Sequence, residues 1–444
     1  MANTYLTRTP SSAGNRRTFT FSFWVKRGSL GLGGTGQHIY CQSYGSEDYQ
    51  FRIEFTSNDE FRLYNSKGAS DAINLKTNRR FRDTSAWMHI VLAVDTTDAT
   101  AVDRAKLYIN GVRETIFATA IYPTQNLEMD ANAAVAQLIG VQYKGSYALY
   151  FNGLISHFYF VDGTAYQAST FGSTDSTTGE WQINTSPSIT MGTNGFTILK
   201  DGNTITDQSS NSNDFTLGGG TLTNTEDCPS NVFAVFNNLI PQTGATFANG
   251  NTFVYRTTSG NYRRIGCTLG ATSGKYYAEF QLGASQWGGI CLTNGGDIER
   301  TTLGNAGYMG EYAGDYSVGI RNDGVVYSNG ANVSSAQWNQ GSLGTTDKLC
   351  LALDMDNKKL FLGKNGTWNV SSNPATNTGG ISLTGDSYTF CGATSNADCK
   401  INTGNGYFGT DAISSEGTNA SGIGKFEYDV PTGFTALSTK GLNE

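Results

Sequence analysis

Apolar and polar positions alternate with a period of two along most of this chain, and no stretch sustains the 3.6-residue period of a helix. Phe19, Phe21, Phe23 and Val25 fall on one side of a predicted first strand over 19–26, because successive side chains of a strand point to opposite faces. Further strands are predicted over 37–40, 49–56, 60–64 and 151–162, each bounded by Gly, Asn, Ser or Asp. The most informative stretch is 349–368, LCLALDMDNKKLFLGKNGTW. Leu349, Leu351 and Leu353 alternate, Asp356-Asn357 supplies a bend, Leu360 and Leu362 repeat the alternation, and Asn365-Gly366 supplies the positive backbone angles of a primed turn. The same grammar occurs upstream, where Ile90 to Asp95 is followed by a polar loop, Lys106 to Ile109, and Asn110-Gly111. One such hairpin per half predicts two β-sandwiches in tandem.

In the second half the predicted strands are 253–255, 275–280, 289–292, 316–320 and 388–391. Between the halves the composition shifts toward Thr, Asn, Ser and Gly, with a short strand pair at 196–199 and 214–217. This predicts sandwiches over 1–185 and 246–444, joined over 186–245 by an ordered connector with its own hairpin. The segment 130–138 is at most one short helix, and the fold class is all-β.

Composition narrows the function classes. Glycine is 55 of 444 residues and proline only 7, so the glycine excess over the usual ~7% belongs to turns. The formal charge is −7 and no basic block exceeds Arg16-Arg17, Arg79-Arg80 or Arg263-Arg264. Phosphate recognition needs clustered positive charge, so nucleic acid is not an expected partner. No apolar run approaches the ~18 residues of a membrane span, and the opening MANTYLTRTPSSAGNRRTF has no apolar signal region. Seven cysteines without a C-x-x-C pair are read as reduced and mostly buried.

Residues 1–185 resemble the laminin G-like, concanavalin A-type jelly roll. The resemblance rests on Phe21-Ser22-Phe23-Trp24-Val25-Lys26, Trp87-Met88-His89-Ile90-Val91 leading to Asp95, Leu107-Tyr108-Ile109-Asn110-Gly111, and Phe151-Asn152-Gly153-Leu154-Ile155-Ser156. The longer opening TYLTRTPSSAGNRRTFTFSFWVKR, the tail FYFVDGTAYQASTFGSTDSTTGEW, and the blocks ITDQSSNSNDFT and CPSNVFAVFNNLIP resemble virion proteins of tailed phages of aquatic bacteria. The second half is similar to the SPRY domain. The matching pieces are Gly274-Lys275-Tyr276-Tyr277 before Glu279, Asp347 leading into Leu351 to Asp354, Phe361 before Lys364-Asn365-Gly366, Ile401-Asn402-Thr403-Gly404, Phe408, and Pro431 to Leu437. Thr403 stands where that family usually has Phe, and 410–424 is expected to be a surface insertion.

These resemblances imply a non-enzymatic virion protein, assembled in the host cytoplasm and carried on the particle. The first reading is a tail-fibre, head-fibre or appendage component that recognises host surface glycan or protein. The second is a capsid or tail decoration protein that stabilises the particle, and the third a polysaccharide hydrolase. Partners would be other virion proteins, the host surface and further copies of the chain, with no membrane insertion.

Concanavalin-type glucanases place paired acids at alternate positions of one strand. The one match is Glu128-Met129-Asp130, which lacks a third acid and is followed by an alanine-rich run. The three histidines, His38, His89 and His157, lie in or beside strand patterns and are read as structural. The run from Gly28 to Gly36 has no Lys-Ser/Thr ending and is not a phosphate loop. No cofactor is expected, but the resemblance to laminin G-like domains leaves calcium at a rim as an alternative, with Asp95, Asp98 and Asp103 as its ligands. Trp287, Tyr308, Tyr312 and Trp338 in the second half, with Tyr44 and Tyr49 in the first, are read as aromatics in polar loops and are the candidate ligand-binding residues. A ring there can stack on a sugar's C–H face or anchor a protein contact.

Overall fold

The computed structural model describes residues 3–31, 36–200, 204–239, 244–257, 262–293, 307–312, 314 and 316–443. The chain divides into two units, Met1–Asn224 and Thr225–Glu444. Each is a β-sandwich, and the fold is all-β, two sandwiches in tandem along the chain. Part of the glycine-rich run, residues 32–35, lies outside the described residues. Among the described residues no helix is long and apolar enough to cross a membrane.

In the first unit an eight-stranded sheet runs, in spatial order, Phe117–Ile121, Ser70–Arg80, Glu60–Lys67, Tyr49–Phe55, Gln37–Ser43, Gln137–Ile139, Tyr5–Arg8 and Thr216–Gly219. A six-stranded sheet faces it, ordered Phe196–Ile198, Gly153–Asp162, Thr18–Arg27, Met88–Asp95, Ala105–Ile109 and Val112–Arg113. The alternation at 19–25 acts as predicted. Phe19, Phe21 and Phe23 are fully buried, with Phe21 4.7 Å from Phe160 and Phe23 stacked 5.1 Å from Phe158. Each such ring contributes about 1.5–3 kcal/mol by leaving water.

The second unit pairs a nine-stranded sheet with a six-stranded one. The nine-stranded sheet contains Ala245–Ala248, Phe253–Arg256, Asp398–Asn402, Lys275–Leu282, Leu349–Asp354, Lys359–Lys364 and Thr367–Trp368, with Ile381–Ser382 and Thr435–Ala436 attached. The six-stranded sheet contains Arg263–Gly266, Tyr388–Thr394, Trp287–Leu292, Val318–Arg321, Val326–Ser328 and Ala331–Asn332.

The two echoing hairpins close by the same device. Asn110 and Gly111 have φ of 47° and 79°, and Asn365 and Gly366 have 49° and 76°, the paired positive angles of a primed turn. The Asn110 side chain accepts the backbone N–H of His89 at 2.8 Å, and Asn365 accepts that of Lys348 at 2.8 Å. In return, the amide of Asn110 donates to the His89 carbonyl and that of Asn365 to the Lys348 carbonyl, both at 2.9 Å.

One expectation is corrected. Among the described residues, the stretch read as a connector does not pair its two predicted strands into a hairpin of its own. Phe196–Ile198 pairs with Gly153–Asp162, Thr216–Gly219 pairs with Tyr5–Arg8, and Phe196, Ile198 and Phe215 enter the first core. Further on, Ala234 and Phe236 enter the second core. The polar composition hid a few apolar side chains that each sandwich needs to close its interior. The segment 130–138, read as at most one short helix, is a loop leading into Gln137–Ile139. Side chains capture the amides a helix would use, since Asp130 N–H donates to Asn65 Oδ1 and Asn132 N–H to Gln42 Oε1.

Strands that are apolar on both faces need cover outside the sandwich as well. Val91, Ala93, Tyr108, Tyr159 and Val161 are covered by Phe171, Trp181, Ile189 and Met191. Tyr277, Cys350, Ala352 and Phe361 are covered by Phe426, Val430 and Phe434. Most of 410–424 lies at the surface. Trp181 sits so close over the first turn that a Cβ on Gly111 would come 2.3 Å from its ring. Gly111→Ala therefore combines a forbidden backbone angle with a clash, and urea unfolding should show the first unit destabilised by at least about 1–3 kcal/mol.

Candidate functional site

The sites proposed for chemistry are the first to test. Asp130 is buried, ion-paired with Arg16 at 3.2 Å and Lys67 at 3.3 Å, and accepts Asn65 Nδ2 at 2.8 Å. Glu128 is exposed and meets Arg17 at 3.3 Å. The segment is a loop, so the two acids do not share a strand face as a glycosidase pair would.

His89 and Ser22 are a buried pair, with Nε2 2.9 Å from Oγ. The Trp181 indole N–H donates to His89 Nδ1 at 3.0 Å. An indole can only donate, so Nδ1 is the acceptor nitrogen and the neutral ring carries its proton on Nε2, facing Ser22. That tautomer donates to the hydroxyl and has no lone pair with which to deprotonate it. Burial, with the His157 ring adding to it, pushes His89 down to about 3. His38 is also buried, and its Nε2 donates to Glu54 at 2.7 Å. Burial raises the Glu54 carboxyl, but His38, Arg52 and Arg62 outweigh it and hold it at about 2.

The three rim aspartates do not converge. Asp95 accepts the N–H and hydroxyl of Thr97 at 3.0 and 2.6 Å, Asp98 accepts Thr100 N–H at 2.7 Å, and Asp103 pairs with Arg113 at 2.9 Å. Among the described residues no three His, Cys, Asp or Glu side chains cluster as metal ligands.

The candidate aromatics divide. Trp287 is not in a loop: it opens the strand Trp287–Leu292, is fully buried, and stacks on Tyr308 at 4.6 Å with 4° between the rings. Tyr262 meets it edge-on at 6.2 Å and the Arg321 guanidinium lies 5.6 Å from its ring centre. Trp338 is buried at the end of the one-turn helix Ser334–Gln337, its indole donating to Gly341 O at 2.7 Å. Both tryptophans are corrected from contact rings to packing rings. Tyr308 and Tyr312 are half-buried in a loop that Arg264 fastens through the carbonyls of Gly307 and Tyr308.

Tyr44 and Tyr49 are exposed, at 52% and 46%, and they lead to a larger aromatic surface that sequence reasoning missed. On the outer face of the eight-stranded sheet, Tyr5 lies 4.7 Å from Tyr147 and 6.3 Å from Tyr150, and Tyr143 lies 5.0 Å from Tyr147. Local rules place each ring. Leu6 is buried in the core, so Tyr5 points outward. Tyr143 and Tyr147 are direct cross-strand partners around Lys144-Gly145-Ser146, with Gly145 at φ 88°. His38 N–H donates to the Leu149 carbonyl and Phe151 N–H to that of Gly140, which fixes this hairpin on the sheet. Lys144 reaches Glu47 at 2.7 Å, tying the hairpin to the loop that begins at Tyr44 and ends where Tyr49 opens its strand. Gly218 leaves room for Tyr5, since a Cβ there would come 2.2 Å from the ring. Partial burial and the Tyr147 hydroxyl push the Tyr5 phenol up to about 12, so it stays a neutral donor and acceptor. The readable signal was YKGSYALY, three tyrosines around a Gly-Ser turn.

One further buried acid belongs to the second unit. Glu279 accepts the backbone N–H groups of Glu427 at 3.0 Å and Tyr428 at 2.8 Å, Tyr277 Oη at 3.1 Å and Asn402 Nδ2 at 3.1 Å. It fastens the covering segment to the sheet, and burial outweighs these bonds and raises it to about 7.

Compared with known proteins, residues 2–170 match the Laminin_G_3 family, described as the concanavalin A-like lectin/glucanases superfamily. Among solved structures the chain is similar to the SPRY domain of human HERC1, at 17% identity and TM-score 0.29, covering 37% of this chain and 96% of that one. It is similar to the TRIM65 PSpry domain, at 12% identity and TM-score 0.29, covering 38% and 92%. It is also similar to a heptameric SAP-like pentraxin from Limulus polyphemus, at 14% identity and TM-score 0.28, covering 45% and 89%. No curated protein matches the chain.

Two predictions follow from the burial of these groups. Trp287→Ala should destabilise the second unit by about 3–5 kcal/mol, read as an earlier chemical-denaturation midpoint. The units should also respond oppositely to acid. All three histidines lie in the first unit. His89, lowered to about 3, stays neutral when folded over this range but takes a proton near 6.5 when unfolded, and burial shifts His38 in the same direction, so that unit loses stability as pH falls below about 6.5. Glu279 is raised, so the folded second unit binds a proton below about 7 that the unfolded chain refuses until about 4.5, and it gains stability on the same descent. Calorimetry between pH 7 and 5 should show two transitions moving apart or crossing, and Glu279→Gln should remove the second unit's gain.

Proposed function

We propose that the chain is a non-enzymatic virion protein of a tailed phage, a fibre or appendage component that holds a host surface glycan or protein on the tyrosine face of its first sandwich. The observation that carries this reading is the clustering of Tyr5, Tyr143, Tyr147 and Tyr150, with Tyr147 47% exposed, beside a loop bounded by the exposed Tyr44 and Tyr49. A tyrosine ring offers an apolar face for sugar C–H groups and a hydroxyl for their oxygens, and it orders at small entropic cost. Thr4, Thr7 and Thr216 lie around Tyr5, and Lys144 between Tyr143 and Tyr147 is matched by Glu47, so the surroundings carry little net charge and suit a neutral ligand. The engagement of Asp130, Glu128 and His89 in fixed pairs supports holding over cutting. The phage origin rests on the opening and tail sequences and on the block at 205–216.

Glycan arrays and host-cell adsorption with the purified chain test the proposal. Tyr147→Ala and Tyr44→Ala should each weaken binding about tenfold, as truncation of an anchoring aromatic does, while the melting temperature stays unchanged. Binding that survives both substitutions, or release of reducing sugar from host polysaccharide, would sink it.

A further inference from the structure

Twelve large apolar side chains are exposed among the described residues, and four of them fall within twenty positions: Val102 at 48%, Val112 at 70%, Ile116 at 66% and Ile121 at 39%. They share one place in the fold, the side of the first sandwich where both sheets end. Val112–Arg113 is the last strand of the six-stranded sheet and Phe117–Ile121 the last of the eight-stranded one. Arg113 donates to the Val102 carbonyl at 2.8 Å, Asn78 N–H donates to the Ile116 carbonyl, and Phe117 meets Tyr122 edge-on at 6.5 Å. These contacts join the residues into one surface.

The strand Phe117–Ile121 pairs with Ser70–Arg80 on one side, Ala120 opposite Leu75 and Ile121 opposite Asn74, and no described strand lies on its other side. Sheet edges are ordinarily protected by charge, by proline or by a bulge. Here a register shift lies between Phe117 and Thr119, leaving Thr119 to Ile121 regular. From Thr115 to Asn126 the chain has no charged residue, and its one proline, Pro123, follows the strand. An apolar, uncharged and unpaired strand edge is a template for another strand.

We propose that this edge is the interface between two copies of the chain, with Phe117–Ile121 of each pairing antiparallel across a two-fold axis and Val112 and Ile116 packing on the partner. The charge pattern selects a second copy over a foreign protein. A two-fold axis sets a surface against itself, so any net charge there would face its own sign. The rim carries its charges already matched, Arg113 with Asp103 at 2.9 Å and Arg79 with Glu114 at 2.9 Å. Two chains of formal charge −7 repel elsewhere on their surfaces, and this neutral strip is where they can meet.

Sedimentation velocity on the full chain across nanomolar to high micromolar concentrations tests the interface. The unaltered chain should form a dimer, and Val112→Lys with Ile116→Lys should weaken it about tenfold or more. Both side chains are exposed, so folding should persist, checked by an unchanged melting temperature. Ala120→Lys, a second and independent variant on the strand itself, should do the same. A chain that stays monomeric throughout, or an oligomer indifferent to both variants, would overturn the interface.

Discussion

Both sandwiches depend on one constraint: their central strands are apolar on both faces, and water must be kept from each. In Met88–Asp95 every residue but the last is buried, and in Leu349–Asp354 all are. One face of each enters the core between the sheets. The other needs a second cover, and the chain supplies it from its own connections, with Phe171 to Met191 over the first unit and Phe426 to Phe434 over the second. A strand buried on both faces contributes more than a half-exposed one, at roughly 25 cal/mol per Å² of apolar surface. It also turns loops into structural parts.

That conversion decides what the polar side chains do. A covering segment brings backbone amides against the sheet, and each buried one needs an acceptor. Glu279 supplies two such acceptors for 427 and 428, and Asn65 and Gln42 supply them for 130 and 132. His89 is held the same way, between Ser22 and Trp181. A group that chemistry could use must retain a free valence toward a cleft. In these groups the valences are occupied, and their displaced ionisation follows from fastening the outer layer.

The same constraint explains which features the sequence displays. Alternation exposed the strands at 19–25 and 349–362, and Asn-Gly marked both closing turns, because these signals are local. Whether the outer face of a strand is wet or covered is not local. Trp287 precedes Gly288-Gly289 and so looks like a loop residue, but Tyr308, twenty-one positions on, stacks over it. Trp338 follows Ser-Ser-Ala-Gln and is drawn inward by the Gly341 carbonyl. The polar stretch around 196–217 is divided by long-range pairing with strands at 5–8 and 153–162. The tyrosine face escaped for the opposite reason. Tyr5 and Tyr147 are 142 positions apart and become neighbours only once Tyr5–Arg8 pairs beside Gln137–Ile139.

Where the outer cover stops, the molecule has surface to use, and the first unit has two such places on one sheet. Tyr5 stands near one end of that sheet, while the uncharged edge Phe117–Ile121 is at the other, with five strands between Phe117–Ile121 and Tyr5–Arg8, namely Ser70–Arg80, Glu60–Lys67, Tyr49–Phe55, Gln37–Ser43 and Gln137–Ile139.

 Those five intervening strands make six steps of about 4.8 Å each, so roughly 29 Å of sheet separates the strand that carries Tyr5 from the edge strand. Pairing at one end therefore leaves the other end open. A dimer built on the edge would carry two tyrosine faces joined by a continuous sheet, rigidly spaced. A single sugar ring on a few tyrosines binds weakly, whereas two faces engaging one repetitive host surface turn the second contact into an intramolecular one, with an affinity that can exceed either alone by about 10²–10⁴. Self-association at a neutral edge and attachment at an aromatic face would thus be complementary uses of one sheet, the first giving the second its strength.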